Sequence, residues 1–209
     1  MAVHEHPQRH PGFHLPSSRR NRTTSAREPA VSERTGTRAG RAYAFASLRL
    51  LIGFAFLWAF LDKTFGVGYA TPSGKGWIDG GSPTQGFLSS VAAGPMESTF
   101  HGWAGDTWAN WLFMLGLLGI GIALIAGVAL RFAAVAGTLM MALMWIAEWP
   151  PAKTLSDGSP SLSTNPLVEY HVIYAVALIA LAAAAAGDAL GLGRRWAKLP
   201  FVSRNGWLR

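Results

Sequence analysis

Five ionisable residues sit at the ends of long apolar runs in this chain: Asp62, Lys63, Glu148, Glu169 and His171. Charged groups are costly where water is scarce, so their default reading in such places is functional. Carboxylates, an imidazole and a phenol beside indoles suit a quinone headgroup, whose oxygens need hydrogen bonds and, on reduction, protons. On this reading Asp62, Glu148 and His171 exchange protons and Lys63 holds an anion. Trp58, Trp145 and Tyr174 wall the pocket, and a loop carrying His101 and Trp103 covers it. Two other readings remain open. The polar groups could form a network that locks helix register, and Asp62, Glu148 and His171 could hold a metal, although nothing in the spacing selects one. A bis-histidine haem is disfavoured, because His101 and His171 are the only histidines outside the N-terminal region. The chain has no cysteine, which removes iron–sulfur clusters, thiolate zinc and dithiol chemistry and leaves no bound cofactor recognisable.

The elements that must position these residues follow from the distribution of charge. Only 14% of the 209 residues are charged, against about 25% in a typical soluble domain. Residues 1–49 and 191–209 carry 17 of the 29 charges, and the 141 residues between them carry 12. So sparse a middle cannot cover a water-facing surface. The expected fold is all-α, a four-helix transmembrane bundle with short interfacial helices in its outer loop. Crossing a hydrocarbon core takes about 20 helical residues. Residues 108–130 and 132–147 are uncharged runs separated by Arg131, which predicts a tight helical hairpin. Residues 170–187 form the expected fourth span, with Asn165-Pro166 as its N-cap and first-turn proline. In the first span Arg49 and Asp62 are separated by only about 20 Å of helix rise. At least one therefore lies at membrane depth, and Arg49, with its longer stem, is expected to snorkel to the headgroups. Gly119, Ala123 and Gly127 form a small-residue stripe on the second span that predicts close helix approach.

Lysine and arginine counts set the orientation. With a cytoplasmic N-terminus, 15 of the 18 basic residues lie inside and only Lys63, Lys75 and Lys153 outside. Both termini are then cytoplasmic, in the plasma membrane. Residues 1–41 are arginine-rich and apolar-poor, which predicts a disordered tail. Residues 42–190 form the membrane domain, and residues 191–209 a second basic tail. The excess of positive charge fits anionic lipid at the cytoplasmic leaflet rather than nucleic acid. The outer loop, residues 66–105, is the longest connection. In it Ser82-Pro83-Thr84-Gln85 reads as a helix start and Gly94-Pro95 as its stop, with a second short helix near residues 96–103. On a regular helix His171 shares a face with Tyr174, while Glu169 points almost opposite.

Several segments resemble a known family. Leu48-Arg49-Leu50, Gly53-Phe54 and the run from Trp58 to Asp62-Lys63 are similar to the first-span signature of the DoxX/DoxD family. Gly80-Gly81-Ser82-Pro83, Glu148-Trp149-Pro150-Pro151 and the run from Asn165 to His171 resemble a branch common in actinobacteria. The resemblance covers about residues 45–209. It implies a four-helix membrane protein. DoxD members are the large subunit of a thiosulfate:quinone oxidoreductase that works with a smaller partner, DoxA, and uses quinone as electron acceptor. Other DoxX members belong to membrane redox or oxidative-stress assemblies without an established chemistry of their own. The resemblance thus implies either a catalytic subunit with a DoxA-like partner or a scaffold for a redox complex, and leaves a homo-oligomer open. It transfers no catalytic set. The outer side, at about four net negative charges, would repel rather than steer a thiosulfate dianion.

Overall fold

The computed structural model describes residues 28–208, with side chains from residue 36 onward. Among these residues all helices and turns follow one another without a strand: α1 (Glu28–Phe65), α2 (Gln85–Ser89), α3 (Glu97–Trp103), α4 (Thr107–Ala126), α5 (Leu130–Glu148), α6 (Tyr170–Ala183), α7 (Gly193–Trp196) and α8 (Pro200–Arg204). Packing divides the chain into two units, Met1–Thr37 and Arg38–Arg209. Of the first, the described part is the start of α1, which begins at Glu28, inside the segment expected to be a disordered tail. Residues 1–27 of that tail lie outside the described residues.

Among the described residues, three helices are long and apolar enough to cross a membrane: Gly36–Phe65, Thr107–Ala126 and Leu130–Glu148. Their outer faces are apolar, with Leu112, Leu115 and Ile122 on α4 and Val135 and Leu139 on α5 all exposed. The fourth helix is shorter than expected. α6 has 14 residues, or about 21 Å, against a hydrocarbon core of about 30 Å. It stops because the chain turns left-handed at Ala185 (φ 47°). There Ala186 N donates to Leu181 O and Ala185 N to Ala182 O, the paired bonds of a Schellman cap. α4 ends in the same way at Gly127 (φ 71°), and α5 starts three residues later, giving the expected hairpin.

Arg49 does not snorkel. It is fully buried, 0% exposed, and its guanidinium donates to backbone carbonyls on two segments. Nη1 reaches Leu124 O and, at 2.8 Å, Ile125 O, both in the last turn of α4. Nε donates to Ala186 O at 3.1 Å, and Nη2 to Leu190 O at 2.8 Å and Ala189 O at 3.4 Å, in the turn after α6. The last carbonyls of a helix have no partner of their own and carry its partial negative charge. A five-donor planar cation satisfies them better than headgroups would satisfy the cation. The contact also brings the middle of α1, the end of α4 and the turn after α6 to one level, so α6 returns to the Arg49 end of the bundle. Space for the guanidinium depends on two glycines. A Cβ at Gly127 would lie 3.1 Å from Arg49 Nη1, and a Cβ at Gly191 would lie 3.1 Å from Arg49 Nη2.

Of the expected stripe, Gly127 packs against Gly187 and the Arg49 guanidinium, while the close approach of the α1 and α4 backbones rests on Gly121 and Gly53. A Cβ at Gly121 would meet Leu57 N at 2.9 Å, and one at Gly53 would meet Leu124 Cβ at 2.9 Å. Gly119 has open space instead. Around this crossing Ile52, Phe56, Met114, Leu117, Ile120, Leu124, Leu178 and Leu181 form one buried core. At the other end, α2 and α3 dock through Val91 and Phe100 onto Ala147 and Ile146 of α5, a second apolar cluster. Asn110 ties the start of that loop to α4: its Oδ1 accepts from Thr84 N (3.0 Å), Thr84 Oγ1 (2.7 Å) and Ser82 Oγ (3.1 Å). Ser82 therefore anchors the loop and is not a helix cap, and α2 begins only at Gln85, after Thr84.

Candidate functional site at the Glu148 end of the bundle

His171 lies in the first turn of α6 and is 1% exposed. Its neighbour Glu169 is the N-cap of α6, with extended backbone (φ −131°, ψ −174°). From there its Oε2 accepts from His171 N at 3.1 Å and sits 3.0 Å from His171 Nδ1. Glu169 thus faces the imidazole rather than opposing it. The helical wheel misplaced it because an N-cap residue is not helical. Glu148, the last residue of α5, is 36% exposed and brings Oε2 to 3.8 Å from the same Nδ1. Its other oxygen accepts from Tyr170 OH at 2.7 Å. The Tyr170 ring lies over the imidazole, with centroids 3.9 Å apart and a tilt of 36°. Two buried atoms of the group have no hydrogen-bond partner, His171 Nε2 and Glu169 Oε1.

α5 ends here because Trp149 adopts a left-handed conformation (φ 39°), with its N–H bonded to Trp145 O. Gly94 (φ 101°) makes room for the Trp149 indole, since a Cβ there would lie 2.7 Å from its Cγ. Trp145 donates Nε1–H to Leu167 O at 3.1 Å, which fixes the segment leading into Glu169. Asn165 folds that segment into a turn, its Oδ1 accepting from Leu167 N and Val168 N. It is therefore not the N-cap of α6, a role taken four residues later by Glu169.

The remaining expected site residues are placed as follows. Asp62 is buried, and its carboxylate accepts from Thr71 N at 2.8 Å and Tyr69 N at 3.3 Å. It closes the loop that follows α1 and is not among the grouped donors. Trp58 stacks on Phe54 and meets Tyr69 edge-on. Lys63 Nζ sits 5.9 Å from the Phe113 ring centroid. Tyr174, one turn beyond His171, is half-buried with its ring edge-on to Phe56 of α1. His101 Nε2 is 2.7 Å from Val91 O, and Trp103 packs between Phe100 and Trp108. Both belong to the cap formed by α2 and α3, docked one residue from Glu148 through Ala147.

Replacing Asp62 with asparagine tests its role directly. Asn keeps one acceptor oxygen but loses the charge that strengthens both bonds to backbone N–H. Asp62→Asn is expected to speed hydrogen exchange at Tyr69 and Thr71 and to cost about 1–2 kcal/mol. Unchanged exchange at both amides would remove this role.

Residues 44–149 match the DoxX family. The chain belongs to the DoxX family. No curated protein and no solved structure matches it. The DoxX segment covers α1 from Ala44, the cap and all of α5, ending one residue after Glu148. Glu169, Tyr170 and His171 lie beyond it. The polar group therefore joins the last turn of the DoxX segment to a helix outside that match. Glu148, Glu169 and His171 each offer a donor atom, all within 4.8 Å of one another. Two carboxylates and an imidazole make a set that a divalent cation accepts. In the set expected from the sequence, Glu169 takes the place of Asp62.

Sequence reasoning passed over two residues here, Asn110 and Tyr170. Asn110 carries a visible signal, a lone amide in an uncharged apolar run. Tyr170 has none, because its partner Glu148 is 22 residues away on another helix.

Proposed function

We propose that this DoxX protein is a DoxD-like membrane redox subunit that passes electrons from a small sulfur substrate to quinone and exchanges the quinone's protons through His171. One observation carries the reading: a buried imidazole whose Nδ1 is backed by two carboxylates while Nε2 is left without a partner. With Nδ1–H directed at Glu169, a charged ring presents Nε2–H as a donor to a quinone oxygen. After giving up that proton, the neutral ring presents a lone pair to the quinol hydroxyl. Half-exposed Glu148 connects this nitrogen pair to water, which makes it the entry for protons. Tyr170 covers the ring, so a headgroup reaches Nε2 when that side chain swings away. Electrons enter from a DoxA-like or other partner subunit, with Lys63 as the cation nearest the membrane for the sulfur anion. The charge asymmetry of the sequence supports a position for this end at the outer face of the plasma membrane.

A second reading has its own support. Arg49 and Asp62, two of the charges buried in the bundle, are fully engaged by backbone groups and serve architecture. If the His171 group does the same, the protein is a scaffold for a redox complex. Photolabelling with an azido-quinone in native-lipid nanodiscs separates the two. Label on α6 near His171, reduced about tenfold or more in His171→Ala, is the expected result. Label spread evenly over lipid-facing residues, or unchanged in the variant, would leave the scaffold. Metal analysis of the same sample reports whether a divalent cation occupies these donors instead.

A further inference from the structure

At the opposite end of the bundle the chain folds back on itself after α8. Arg131 Nη1 donates to Gly206 O at 3.1 Å, and Trp196 Nε1 donates to Leu208 O at 2.7 Å. The Trp207 indole stands edge-on to Phe132, with centroids 4.5 Å apart. Beneath Trp207 a groove of about 400 Å³ runs along α5 and α6, lined by Ala134, Val135, Thr138, Leu139, Ile179 and Ala182. Its mouth is Arg131, an exposed guanidinium with one of its five N–H donors used. The rest of the groove is apolar apart from one atom. Thr138 Oγ1 is buried without a hydrogen-bond partner.

We propose that this groove holds one anionic phospholipid, its phosphate at Arg131 and an acyl chain along α5 and α6. Charge complementarity selects the occupant. Residues 188–208 add Arg194, Arg195, Lys198 and Arg204 to Arg131 at this end against a single acidic residue, Asp188. A guanidinium pairs with phosphate through two parallel N–H bonds, and Arg131 has donors to spare. Polarity along the groove follows the order of a phospholipid: a cation for the phosphate, then a hydroxyl about 10 Å deeper along the helix, then aliphatic walls. An ester carbonyl is the lipid group that would satisfy Thr138. Trp207 lies beside the mouth, where indoles favour the membrane–water boundary. A zwitterionic lipid would bring its own cation towards a surface already rich in positive charge.

Native mass spectrometry of the full chain, released from nanodiscs of equal phosphatidylglycerol and phosphatidylcholine, tests this. Wild type is expected to retain about one phosphatidylglycerol in preference to phosphatidylcholine. Arg131→Gln is expected to lower that preference about fivefold, the effect of one cation near an anionic surface, while Arg131→Lys keeps most of it. Val135→Trp, which fills the groove from its exposed edge, is expected to lower retention of both lipids. Arg195→Gln, outside the groove, is expected to change neither. Equal retention of the two lipids by wild type overturns the proposal. So does an Arg195→Gln effect as large as that of Arg131→Gln, which would mean diffuse attraction. Val135→Trp leaving lipid retention intact likewise overturns it, and conversion of an oligomer to monomers in the same variant would assign the groove to a second copy of the chain.

Discussion

Arg49→Met is expected to lower the melting temperature of the detergent-solubilised protein by about 10 °C or to prevent its recovery in folded form. Methionine matches much of the volume of arginine but carries no donor, so the carbonyls of Leu124, Ile125, Ala186 and Leu190 would lose their shared partner inside the bundle. Stranding buried hydrogen-bonding groups costs about 1–3 kcal/mol each, and breaking a buried charged contact typically about 3–5 kcal/mol. For a chain of this size each kcal/mol corresponds to about 2–4 °C. Arg49→Lys keeps the charge but has a single nitrogen, which cannot reach α4 and the turn after α6 together. It is expected to recover less than half of the loss. A wild-type melting temperature in Arg49→Met would show that the bundle is held without the clamp. The effect should be sharpest at the Arg49 end, and hydrogen exchange in residues 184–192 should rise before exchange in the core of α4.

The second large effect tests the proposed quinone role. If His171 exchanges quinone protons as proposed, His171→Ala in membranes that contain the electron donor is expected to reduce quinone turnover by about 10²-fold or more, the usual contribution of a positioned acid–base group. Glu169→Gln separates function from architecture. Glutamine still accepts the N-cap bond from His171 N, so α6 keeps its start and the melting temperature should fall by no more than about 1 kcal/mol equivalent. It removes the negative charge 3.0 Å from Nδ1, so turnover should fall by about tenfold or more while the fold is kept. Turnover and melting temperature both unchanged from wild type in Glu169→Gln would remove the proton role. A drop in melting temperature with unchanged turnover would mark the group as structural.

The family match and the polar group bear on each other. The matched DoxX segment ends within one residue of Glu148, while the imidazole comes from a helix beyond it. The DoxX segment supplies three long helices and the cap, and α6 supplies the buried histidine. A chain ending at residue 149 would retain Glu148 but no ring for it to serve.

How much of this was legible in the sequence differs from residue to residue. Apolar runs and the small number of charges within them determined the helical membrane architecture, the hairpin of α4 and α5, although its turn falls at residues 127–129 and leaves Arg131 inside α5, and the presence of short helices in the long loop. These are local properties, set by hydropathy over one or two turns and by proline and glycine signals. The sequence also determined that Arg49, Asp62, Glu148 and His171 would be costly to bury. What each does with that burial was decided by tertiary structure. Arg49 turned inward because two segments 75 and 137 or more residues away leave their carbonyls at its level. Asp62 turned to loop amides seven and nine residues ahead, away from the other carboxylates. Glu169 joined His171 because it caps the helix and does not lie within it, a difference of one backbone conformation that helical periodicity cannot register. Composition fixes the cost of burying a charge, but its partner depends on which backbone and side-chain groups the packed helices bring within about 3 Å, and only the tertiary structure specifies those.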